Sequence, residues 1–197
     1  MLGARGDPPS PAPVRPRTHR PAAVCADADS GAAPLYSTDS EEAAQRDGHT
    51  LPPLTRRRLH AMLRALTPRR ERIARCMALA LDHAYAAEEV ADIVTASLLV
   101  PTTPVPRKLA RLHVVSDILY NAGAAPHAWR YRGAFETRLA CVFAHLGAVL
   151  AALPGRLSAE STARQLARVL DCWDAWLVVP PPALAQFRAL LKVPVDK

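Results

Sequence analysis

The chain has 197 residues, enough for one domain of ordinary size plus a tail. Twenty-five Lys and Arg stand against eighteen Asp and Glu, a net charge of +7. That balance points to an anionic partner, whether nucleic acid, phosphopeptide or acidic membrane surface, although an Ala-, Arg- and Pro-rich chain from a GC-biased genome has the same balance.

Several function classes lack their motifs. No continuous apolar run of about eighteen residues is present, so no membrane-spanning helix is expected. The first thirty residues have no apolar signal-peptide core, and Pro8, Pro9, Pro11, Pro13 and Pro16 disfavour an amphipathic transit helix. Cys25, Cys76, Cys141 and Cys172 form no C-x-x-C pair and no zinc spacing, which reads as reduced, mostly buried thiols in an intracellular protein. H-E-x-x-H, Gly-rich phosphate loops and G-x-S-x-G are all missing, so no enzyme, metal or cofactor is implied.

Residues 1–50 are rich in Pro, Ala and Ser and hold five Arg against seven carboxylates. With few large apolar residues, this stretch cannot offset its chain entropy and is expected to be disordered. Residues 51–197 hold twenty Lys and Arg against eleven carboxylates, so the basic part is the part that folds, from about Leu54 to Leu191.

Apolar residues at three- and four-residue steps predict a first helix over Thr55–Leu66. Thr67 then serves as a cap, with Pro68 opening a second helix to about His83. Between Thr55 and Arg75 lie eight Arg and one carboxylate. Arg56, Arg57, Arg58, Arg69 and Arg70 therefore suggest sequence-tolerant RNA binding, or simply a solvated face. Ala86–Leu99 is a third helix, and Pro101, Pro104 and Pro106 make the next stretch a connector.

Leu109–Asn121, LARLHVVSDILYN, carries Leu109, Leu112, Val115 and Leu119 on one face. His113, Asp117 and Asn121 form a second, polar row at four-residue steps. This describes a helix that is half core and half binding surface, or one whose His113 and Asp117 pair in solvent. A long helix follows to Leu153, then one capped by Ser158 in which Trp173 and Trp176 read as core anchors. Pro180–Pro182 interrupts, and Ala183–Leu191 closes the chain's seven or eight helices. No useful stretch alternates at period two, so the fold class is all-α.

The strings LTPRRERIARCMALALDHAYAAEEVADIVTASL, TPVPRKLARLHVVSDILYN, YRGAFETRL and WDAW resemble the CID (RPR) domain over roughly Leu54–Leu191. Within that family the resemblance is closest to the U2 snRNP-associated SURP-motif splicing factor. It implies a right-handed superhelix of the ENTH/VHS type. The implied function is nuclear: binding the extended, often phosphorylated Tyr-Ser-Pro-Thr-Ser-Pro-Ser repeat of the RNA polymerase II C-terminal domain during pre-mRNA processing and splicing. RNA and spliceosomal proteins are further implied partners, a membrane is not, and a purely scaffolding domain or a VHS/ENTH-type trafficking adaptor are the alternatives.

In the family the peptide lies along the second, fourth and seventh helices. Leu109–Asn121 matches the fourth, so His113, Ser116, Asp117 and Asn121 become groove residues. Asp117 accepts a peptide hydroxyl, and Lys108 and Arg111 meet phosphate. Ser158–Val178 matches the seventh, where RVLDCW supplies Arg168, with Arg164 one turn earlier; a guanidinium's forked donors suit phosphoserine. The chain departs from the splicing-factor pattern at His113, where Tyr is usual, at Arg168, and at Asp171, where a basic residue is usual. It also has no RNA-recognition motif, SURP motif or Arg-Ser tail.

Overall fold

The computed structural model describes residues 49–191. The disorder expected for residues 1–50 falls almost wholly outside that range. Apolar periodicity produces seven α-helices and no strand among the described residues. They are α1 (Pro53–Arg64), α2 (Arg70–Asp82), α3 (Ala87–Leu99), α4 (Val105–Tyr120), α5 (Arg130–Ala152), α6 (Arg156–Ala175) and α7 (Pro181–Leu191), with a 3-10 turn at Ala84–Ala86. Packing runs α2 on α4, α3 on α5 and α5 on α7, the layered helix pairs of an all-α superhelix.

Three helices open differently from expectation, for one reason. Pro53 and Pro106 lie in the first turns of α1 and α4, and Pro181 and Pro182 in that of α7. A first-turn residue has no intrahelical acceptor for its N–H, so proline fits there and opens a helix rather than ending one. Thr67 caps nothing; its hydroxyl has no partner among the described residues, and α2 starts after Arg69. Ser158 is likewise inside α6, whose N-cap is Gly155 at φ 91°, a conformation costly for a side-chain-bearing residue.

The core is built around Trp173, which no solvent reaches. Phe143 meets its ring edge-on at 5.8 Å and stacks on Phe187 at 4.7 Å. Trp176, expected in the core, is instead 41% exposed. Gly147 is where α5 meets α7: a Cβ there would collide with the Leu190 carbonyl oxygen. The α5 helix is long and apolar enough to cross a membrane, contrary to the sequence expectation. Its Phe135, Leu139, Val142, Phe143 and Leu146 are buried against the rest of this domain, as in a core helix. Among the described residues only Cys76 is a buried thiol, its pKa pushed up to about 11 by that burial; Cys141 and Cys172 are exposed.

Candidate functional site

Helix α4 is more deeply buried than its charged residues suggest. Lys108 is 1% exposed, and its Nζ donates to the carbonyls of Leu98 at 2.7 Å and Val100 at 2.6 Å, with His145 Nε2 at 2.8 Å. Arg111 is 4% exposed. It donates to the carbonyls of Leu63 and Ser97 and to Thr103 Oγ1. Neither cation is on the surface to meet a phosphate, so both are corrected to pins that fasten the end of α3 and the end of α1 to α4. Ser116 is also buried; its hydroxyl accepts the indole N–H of Trp173 at 2.9 Å. A buried indole needs such an acceptor, so Ser116 positions α6 against α4 and does not line a surface.

What α4 leaves at or just beneath the surface is narrower. Asp117 is largely buried, its side chain 12% exposed, and carries one ion pair, to Arg70 Nη1 of α2 at 3.0 Å. The Arg70 side chain is 76% exposed, so the pair is screened and loosely held. Asn121 Nδ2 donates to the Asp117 carbonyl at 2.8 Å and contacts Met77 Sδ at 3.3 Å. His113 is half-buried in a cleft of about 360 Å³, with Pro68 of the α1–α2 turn, Leu109 of α4 and Thr162 and Gln165 of α6. Three residues beyond Asp117, Tyr120 packs against Trp176 with ring centroids 4.4 Å apart and planes tilted by 51°, both exposed. Sequence reasoning missed this pair, although Tyr120 falls on the same helical row as His113 and Asp117.

On α6, Arg164 and Arg168 are exposed. Arg164 Nε donates weakly to the Glu160 carbonyl at 3.4 Å. Asp171 does not pair with Arg168: it accepts Arg188 Nη2 of α7 at 2.8 Å, which leaves the Arg168 guanidinium without a partner among the described residues.

The five arginines expected to form one RNA patch are divided. Arg56 is held by Glu89 and donates to the Leu51 carbonyl, so it ties the start of the domain to α3. Arg57 and Arg58 are exposed on α1, while Arg69 and Arg70 stand at the start of α2, Arg70 on Asp117.

Burial lowers the His113 pKa below its ordinary value, with Asp117 opposing and Arg70 assisting. Burial, then the nearby Lys108 charge, lowers His145. Both therefore bind a proton more weakly folded than unfolded. Their contribution is complete above the unfolded histidine value of about 6.5 and is lost as pH falls below it. The melting temperature, followed by circular dichroism, is expected to drop between about pH 7 and pH 5, and to drop less in His113→Gln. An equal drop in that variant removes His113 from the account.

These features can be set beside known proteins. Residues 57–187 match the family model of the CID domain. Protein RRC1 of Arabidopsis thaliana is 40% identical over 118 residues, which is 59% of this chain and 12% of that protein. Protein RRC1-like of the same plant is 37% identical over 129 residues, 65% of this chain and 14% of that protein. The chain thus spans a small part of the length of these relatives. The matched stretch includes α4 with its Lys108 and Arg111 pins, and α6, and the chain belongs to the CID domain family, a helical protein-interaction module.

Proposed function

We propose that this domain binds serine-phosphorylated repeats of the RNA polymerase II C-terminal domain, in a nuclear protein of RNA processing. The relation to the U2 snRNP-associated SURP-motif factor, and hence to spliceosomal partners, belongs to the same proposal. The observation that carries it is Asp117: on the fourth helix of a CID fold, its one ionic partner is an exposed, exchangeable arginine.

In this reading a tyrosine hydroxyl of the peptide displaces Arg70 and donates to Asp117. Arg70, released, remains nearby as a cation for the peptide. The Asn121 amide nitrogen is committed to the Asp117 carbonyl, which leaves its oxygen to accept from peptide backbone. His113, held below its ordinary pKa, presents a neutral ring. Arg168 and Arg164 supply charge-assisted donors to phosphate. Affinity is modest, since an extended peptide loses chain entropy on binding.

Fluorescence anisotropy with two-repeat peptides tests this. One is unmodified, one phosphorylated at the second position and one at the fifth. Phosphate-dependent binding is expected, weakened roughly tenfold in Arg168→Ala, the worth of one charge-assisted bond. No binding of any peptide at low salt overturns the proposal.

A further inference from the structure

Arg111 and His113 are two residues apart, about 200° around α4, so the helix shows opposite sides to two different surfaces. On the Arg111 side, a cleft of about 440 Å³ opens between α1, α3 and the α3–α4 link. Its walls include Leu63, Ile93 and Val100, and it takes basic side chains from two helices: His60 and Arg64 from α1, Arg107 and Arg111 from α4. No carboxylate lines it. Glu89, one turn before Ile93 on α3, is already held by Arg56.

The cleft is unusual in the state of its charges. Arg111 is almost fully buried, yet its partners are carbonyl and hydroxyl oxygens and none is a carboxylate. A buried cation met only by neutral dipoles is under-compensated, and an anion entering the cleft would supply what is missing. Arg107 spends its Nε on the Leu66 carbonyl at 3.3 Å and keeps its terminal nitrogens. Arg64 is exposed at the end of α1, with no side-chain partner among the described residues.

The charge also continues past the cleft. Arg57 is seven residues before Arg64 on the same side of α1, about 10 Å along the helix axis. One phosphate does not need that length, whereas a strand whose charges recur every few Å does. The cleft has no Phe, Tyr or Trp on which a base would stack, and His60 is the one ring in its lining. Contacts would therefore go to the backbone, without sequence preference.

We propose that this cleft binds the phosphate backbone of single-stranded RNA, with Arg64 and Arg107 in direct contact, Arg57 extending the track and the Arg111 charge beneath it. This surface is separate from His113 and Asp117, so RNA and peptide would be held together.

The probe is a labelled oligouridine about twelve nucleotides long, titrated into the full chain at several salt concentrations. Arg64→Gln/Arg107→Gln is expected to weaken binding at least tenfold and to flatten the log–log salt slope by about 1.4, for two phosphates on a single strand. Phosphopeptide affinity should not change. Because Arg107 also holds the Leu66 carbonyl, Arg57→Gln/Arg64→Gln provides a second variant, altered only at exposed positions, and should weaken RNA binding in the same direction. Unchanged RNA affinity and slope in both variants overturns the proposal. So does an oligoglutamate of matched charge that binds wild type as tightly as the RNA, which would make the cleft a reader of acidic peptide.

Discussion

Lys108→Met is expected to destabilise the domain by about 3 kcal/mol or more, a large share of the 5–15 kcal/mol that holds such a fold together. The ammonium uses its three donors on three acceptors, the Leu98 carbonyl buried and the Val100 carbonyl and His145 ring partly buried. Two are carbonyls at the end of α3, which has no glycine cap: its C-cap is Val100 at φ −59°. Lys108 therefore does the work of the missing cap, satisfying carbonyls that α3 cannot and placing positive charge at the negative end of its dipole. Methionine fills most of the volume but leaves all three acceptors unmet, and each such loss costs about 1–3 kcal/mol. Urea denaturation followed by circular dichroism should show a lower midpoint with little change in slope. A loss under about 0.5 kcal/mol would show that water replaces the amine, against the assignment of Lys108 as a pin.

Asp117→Ala should behave in the opposite way. Its ion pair with Arg70 is screened, so stability should fall by no more than about 1 kcal/mol. Phosphopeptide affinity should fall about ten- to a hundredfold, since a hydrogen bond to a charged acceptor contributes about 1.5–3 kcal/mol. Asp117→Asn keeps an acceptor oxygen without the charge and should retain part of the affinity. Binding of Asp117→Ala at wild-type strength would remove the aspartate from the proposed groove, whatever Arg168 does.

The helices were legible in the sequence because burial imposes a period. Leu59 and Leu63, Ile73 and Cys76, or Leu139 and Leu146 recur at helical spacing and all face inward. Helix starts were not legible, because proline and threonine each have two uses. Pro106 and Pro181 open helices where the sequence suggested a connector and an interruption, and Thr67 caps none. The helix proposed to carry the site formed as its period predicted, but three side chains assigned to its surface lie buried. Lys108, Arg111, Val115 and Ile118 lie at three- and four-residue steps, so the two cations share the apolar stripe. That phase was available in the sequence, but the habit of placing charge in solvent outweighed it. The partners were not available: Ser97 O, Leu63 O and the Trp173 indole are brought to α4 only by tertiary packing.

The separations of the pins along the chain also bear on the order in which the domain assembles. Lys108 reaches carbonyls eight and ten residues back, so closing that loop costs little entropy and the α3–α4 hairpin can fasten itself early. The ties of α1 to α3 and α4 are distant: Arg111 to Leu63 spans 48 residues, and Arg56 to Glu89 spans 33. Helix α1 therefore joins a hairpin that already exists and is the piece whose departure leaves the rest most nearly intact. The walls of the arginine cleft thus arrive at different times. The α3–α4 side stands first, and the cleft is complete only when the last helix closes over it.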